Sequence, residues 1–145
     1  MKLLVSRCLL GEPCRYDGRS KPVEQVMKLE QRGHTLVPVC PEVMGGLPTP
    51  RPPAELQPDG RVVNREGRDV TAQYRAGAQV ALELALREGC QWAVLKENSP
   101  SCGCRAVYDG TFSKTLIPGQ GVAARLLTEH GIAVLGESEL ERLDR

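Results

Sequence analysis

Aromatic side chains are scarce in this 145-residue chain, which holds one Trp, three Tyr and one Phe. Its core must therefore be assembled mainly from Leu, Val and Ala, and it has few rings on which to stack the bases of an RNA. Neither sign of charge is in excess, since 19 Lys and Arg face 18 Asp and Glu for a net charge of +1. That balance argues against a basic field that would hold nucleic acid and against acidic disorder. No apolar run approaches the ~18 residues of a membrane span. Arg7 interrupts the apolar opening Met1-Lys2-Leu3-Leu4-Val5 before a secretory leader can form, so a cytoplasmic protein is expected. Cys-x-x-Cys knuckles of the kind that build structural zinc sites are missing too. The two histidines, His34 and His130, fall at predicted helix ends and read as solvated or capping groups.

What the chain does have is six cysteines. A reducing compartment rarely keeps structural disulfides, so these are read as buried hydrophobes, redox thiols or metal ligands. Their placement depends on the fold. Four short apolar runs, 2–6, 35–39, 92–96 and 132–135, read as strands, and three are near-continuous, as strands buried on both faces of a parallel sheet are. Helices are predicted over 23–32, 70–88 and 122–130, each followed by a glycine stop at Gly33, Gly89 or Gly131. The order predicts an α/β fold: a single domain over 1–145 with an open, mainly parallel, Rossmann-like sheet flanked by helices. A Pro/Gly-rich insert spans 41–69, and within it Pro58-Asp59-Gly60 reads as the turn of a small hairpin.

In that fold Cys8, Cys40 and Cys102 each follow a strand, and so reach the carboxyl edge where open α/β sheets place their ligands. Soft thiolates at such an edge select zinc, copper(I) or an iron–sulfur cluster. Cys90 sits at the opposite edge and reads as a buried hydrophobe, while Cys14 and Cys104 remain open as further ligands or neighbours of the site. Glu42 lies two residues after Cys40, and Ser99 and Ser101 precede Cys102. A carboxylate and a hydroxyl beside a metal can position and deprotonate a water. Arg15, Asp17, Arg51 and Glu55 are further pocket candidates, with loop-stabilising ion pairs as the equal alternative.

Three motifs carry a resemblance. They are Val5-Ser6-Arg7-Cys8-Leu9-Leu10-Gly11 with Cys14-Arg15-Tyr16-Asp17-Gly18, Pro41-Glu42-Val43-Met44-Gly45-Gly46-Leu47 with Pro50-Arg51-Pro52-Pro53-Ala54-Glu55, and Lys96-Glu97-Asn98-Ser99-Pro100-Ser101-Cys102-Gly103. In order and over nearly the whole chain, they resemble a bacterial family, long known as a domain of unknown function, that includes the thiouracil desulfidases. The resemblance implies a [4Fe–4S] cluster held by Cys8, Cys40 and Cys102 with one iron open. It also implies a catalytic Glu42 and a catalytic serine, with Ser99 placed slightly ahead of Ser101. The implied reaction is non-redox desulfuration of a small thiolated pyrimidine, thiouracil to uracil plus hydrosulfide. The cluster would come from the iron–sulfur assembly machinery. The same chemistry on a thiolated nucleoside or tRNA, a cluster-carrying or electron-transfer protein, and a zinc-binding structural module are the alternatives.

Overall fold

The computed structural model describes residues 1–144. In chain order, β1 (Lys2–Ser6) runs into a 3-10 turn (Arg7–Leu10) and α1 (Glu24–Met27) into a second (Lys28–Arg32). β2 (Thr35–Val39), α2 (Pro41–Met44), β3 (Ala54–Leu56), β4 (Val62–Asn64) and α3 (Thr71–Glu88) follow. β5 (Trp92–Leu95), β6 (Ala106–Tyr108), β7 (Leu116–Pro118), α4 (Val122–Glu129) and β8 (Ala133–Gly136) precede a last 3-10 segment (Leu140–Asp144).

The main sheet has the order β2-β1-β5-β8 with every pairing parallel. Burial explains why its central strands read as apolar runs. Leu3, Leu4 and Val5 of β1 and Ala93, Val94 and Leu95 of β5 are fully buried, and alternate residues enter opposite cores. Leu4, Ala93 and Leu95 pack with Ala81, Leu82 and Ala85 of α3 and Ala124 and Leu127 of α4. Leu3, Val5 and Val94 pack on the other face with Leu9, Val26, Leu29 and Leu143. Helices thus cover both faces, as an all-parallel sheet requires. Pro38 is tolerated because β2 is an edge strand, paired only with β1.

Some boundaries differ from the sequence expectation. The helix expected over 23–32 is one α-turn followed by a 3-10 turn. Its buried residues are Val26 and Leu29, an i, i+3 pair that the tighter helix aligns. The strand expected over 132–135 is shifted by one residue to Ala133–Gly136, and that over 92–96 ends at Leu95. The hairpin in the insert forms, from β3 and β4. A second hairpin, β6 with β7, was not foreseen, because its strands are three residues long and β7 is exposed throughout, which leaves no apolar rhythm to read.

One helix contact governs the approach to the sheet edge. A Cβ on Gly77 would lie 1.7 Å from the Pro41 carbonyl oxygen, and one on Gly45 would lie 2.0 Å from that of Gln73. Backbone therefore meets backbone where α2 crosses α3, and only glycine fits. Gly77→Ala is expected to cost at least about 1–3 kcal/mol, the usual penalty of overpacking, and a denaturant midpoint equal to that of the native chain would contradict it.

Beyond β8, Glu139 ties the C-terminal segment down. It pairs with Arg105 and Arg142 and accepts the Gly136 amide. Arg105 holds its carboxyl at about 2, below the ordinary 4.5, against the opposing effect of burial. A depressed carboxyl contributes stability that is complete above the unfolded value and is lost as pH falls through the folded one. Glu139→Gln is therefore expected to be less stable at neutral pH, with a deficit that shrinks between about pH 4.5 and 2 in urea titrations.

Candidate active site

From β1 the chain moves to β2 on one side, then returns past β1 to β5 on the other. This reversal opens a crevice beyond the carboxyl ends of β1 and β5, where open α/β sheets bind ligands. A cavity of about 640 Å³ occupies it. Cys8, Cys14, Cys40 and Cys102 all line this cavity. Cys8 stands in the 3-10 turn after β1, and Cys40, still extended, precedes α2, whose first turn opens with Pro41. Cys102 lies in the loop after β5. The three thiols that topology singled out therefore share one cavity, and the structure adds Cys14. Cys90, near the start of β5, is buried but does not line it. Cys104 is also outside, with its thiol 3.6 Å from a Glu139 carboxylate oxygen.

Burial and contacts among the thiols raise three of them. The Cys102 thiol is pushed up to about 11 by burial, against the Ser101 and Ser6 hydroxyls that approach its sulfur at 3.5 Å. Cys40 is raised by its hydrogen bond with Cys14 and then by burial. Cys14 is drawn down by Cys40, but Cys8 and burial outweigh that and bring it to about 11. Thiols of this kind bind metal by giving up their protons. Among the described residues, no three His, Cys, Asp or Glu side chains converge as a single metal ion requires. The donor set is soft, buried and spread around a cavity, which fits a bulky cluster better than one zinc ion.

Glu42, on the first turn of α2, places its carboxylate in the same cavity with every partner satisfied. Oε1 accepts from Arg51 Nε at 3.1 Å and the Tyr74 hydroxyl at 3.0 Å, and it forms an ion pair with Arg51 Nη2 at 3.1 Å. Oε2 accepts from the Ser101 hydroxyl at 2.8 Å. The two serines of the third motif are thereby separated. Ser99 Oγ accepts the backbone amides of Cys102 at 2.8 Å and Ser101 at 3.2 Å, so it shapes the loop. Ser101, 1% exposed, carries the hydroxyl that meets Glu42. Ser99 Oγ lies 3.1 Å from Ser101 Oγ, so it reaches Glu42 only through that hydroxyl.

The remaining candidates divide. Arg51 is buried and also donates to the carbonyls of Pro48 and Cys14 and to Thr49 Oγ1, so it anchors the insert as well as Glu42. Glu55 accepts the Gly110 and Phe112 amides and pins the loop between β6 and β7 over the cavity. Arg15 lines the cavity, whereas Asp17 caps its own turn through the Arg19 amide. Neither histidine lines it, and His130 Nδ1 lies 3.0 Å from the Leu126 carbonyl at the end of α4. Tyr74 of α3 was not among the sequence candidates, yet its hydroxyl reaches Glu42. Four of the five aromatic residues, Tyr16, Tyr74, Tyr108 and Phe112, line this one cavity.

Comparison with known proteins identifies the fold and the family. The chain is 42% identical over 147 residues to the uncharacterized protein YbbK of Bacillus subtilis strain 168, covering 95% of this chain and 97% of that protein. Its structure superposes on that of the [4Fe-4S]-dependent thiouracil desulfidase TudS with a TM-score of 0.92 and 48% sequence identity, covering 99% of this chain and 95% of that one. The family model described as 2-thiouracil desulfurase matches residues 3–139, so the chain belongs to the 2-thiouracil desulfurase family.

Proposed function

We propose that this protein is a [4Fe–4S]-dependent desulfidase that converts thiouracil to uracil and hydrosulfide by hydrolysis. The observation that carries the reading is the meeting, in one cavity, of four thiols with a Glu42–Ser101 pair. Membership of the family and 48% identity to a thiouracil desulfidase across the whole chain support the reaction class. Cys8, Cys40 and Cys102 are the proposed ligands. With three thiolates the cluster would present one open iron, a Lewis acid with affinity for the soft sulfur of a thiocarbonyl.

The protein's own groups would supply the rest. The aromatic residues around the cavity suit a planar pyrimidine ring. Glu42 Oε2 takes a proton from water, directly or through Ser101. The water oxygen bonds to the thiocarbonyl carbon, and the C–S bond then breaks as the C=O bond forms. The departing sulfur takes the hydroxyl proton and leaves as hydrosulfide, and Glu42 gives the proton it took from water to solvent. Nothing is oxidised or reduced, so the cycle needs no reductase. Iron–sulfur assembly machinery would supply the cluster.

Anaerobically reconstituted protein should be brown and release hydrosulfide from 4-thiouracil, with uracil formed in equal amount. Brown protein without release from the free base, the nucleoside or tRNA would overturn the desulfidase reading. Cys8→Ala, Cys40→Ala and Cys102→Ala should each lower iron and sulfide content, whereas Cys14→Ala should keep the cluster. A Cys14 variant that alone fails to load would exchange the ligand set.

The two serines should separate as well. Ser101→Ala is expected to lower kcat by about 10²-fold or more, as loss of a proton-transfer group does, with cluster content unchanged. Ser99→Ala should act first on stability, lowering the melting temperature, because two loop amides lose their acceptor.

A further inference from the structure

We propose that Tyr74 is a positioning residue for the reaction, aiming the Glu42 carboxylate through a hydrogen bond from the first turn of helix α3. The inference rests on the reading of Glu42 as the proton acceptor. The carboxylate is held asymmetrically: Oε1 accepts from Arg51 Nε and the Tyr74 hydroxyl and lies in an ion pair with Arg51 Nη2, while Oε2 accepts from Ser101 alone. An oxygen whose two lone pairs are both taken has none to spare, whereas one with a single donor keeps room for a proton. Tyr74 and Arg51 together leave Oε2 as the reactive oxygen and set the carboxylate plane.

The backbone makes this possible. Tyr74 and Gly77 are three residues apart and lie on one face of α3, with Ala78 and Ala81. That face contains no bulky residue beyond Tyr74 where it meets α2, so the close approach at Gly45 and Gly77 brings α2 within reach of the hydroxyl. Tyr74 is 2% exposed, and burial followed by the charge of Glu42 raises its phenol far above the ordinary value. It therefore stays a donor at any working pH. A tyrosine serving only the core, where its ring packs beside Val62 and Val70, would not need the hydroxyl.

Tyr74→Phe removes one atom and keeps the ring. Native protein, Tyr74→Phe, Glu42→Gln and the double variant are reconstituted anaerobically, and iron, sulfide and melting temperature are measured beside hydrosulfide release from 4-thiouracil. The expected result is a kcat lower by about 10- to 100-fold, the usual effect of removing a hydrogen-bond partner that orients a reactive group, with KM and cluster content close to native. In the Glu42→Gln background the same change should alter kcat less than about twofold, because the hydroxyl then has no carboxylate to aim.

A kcat for Tyr74→Phe equal to native, or an equal loss in both backgrounds, overturns the positioning role. Native turnover in Glu42→Gln overturns the reading on which it rests, and is a separate result. Should Tyr74→Phe not accumulate folded, Tyr74→Gln and Tyr74→Met decide the same point. They are similar in length, and only Gln carries a donor, so Gln must retain the higher kcat. Equal values overturn the proposal.

Discussion

A single half-buried carboxylate organises the site. Glu42 belongs to a one-turn helix, and an ionised group there loses part of its solvation unless partners replace the water. The replacements come from three separate segments: Arg51 from the insert, Tyr74 from α3 and Ser101 from the loop after β5. None is its sequence neighbour, so satisfying this one charge draws the insert, the long helix and the third strand's loop to a common point. Arg51 passes the constraint on, since it also holds the carbonyls of Pro48 and Cys14. The position of Cys14 relative to Cys8 and Cys40 thus depends on the same ion pair.

The thiols obey a complementary constraint. The surroundings of Cys14, Cys40 and Cys102 favour the neutral form, with burial the leading cause at Cys102 and the Cys14 contact the leading cause at Cys40. Such a pocket has little use as a redox dithiol, because the thiolate is the reactive species. It suits a set of donors that deprotonate together when a metal centre enters. The proposed reaction asks for that combination: a soft, Lewis-acidic centre to hold sulfur and a hydrolytic pair beside it to deliver oxygen. Electron carriers, with every iron tied to protein, need no such pair.

Much of the scaffold was legible because burial leaves a periodic trace. Leu3 to Val5 and Ala93 to Leu95 are buried on both faces of the sheet, and that is why they read as continuous apolar runs. The long α3 and its Gly89 stop were equally clear, since the glycine takes the left-handed conformation that ends the helix. The β6–β7 hairpin left no such trace, because β7 buries nothing. The site was legible in part for the same reason: strand ends locate Cys8, Cys40 and Cys102, and Glu42 travels with Cys40.

By itself the sequence determined the parallel sheet, the edge at which its thiols gather and the soft-ligand chemistry that follows. Those properties depend on local periodicity and on residue type. Only the tertiary structure decided which serine meets Glu42, that Cys14 enters the cavity while Cys104 turns to Glu139, and that Tyr74 reaches across from α3. These contacts join residues 59, 35 and 32 positions apart. They depend on how closely backbones approach, above all at Gly45 and Gly77, where the absence of two side chains admits a contact that no periodic pattern records.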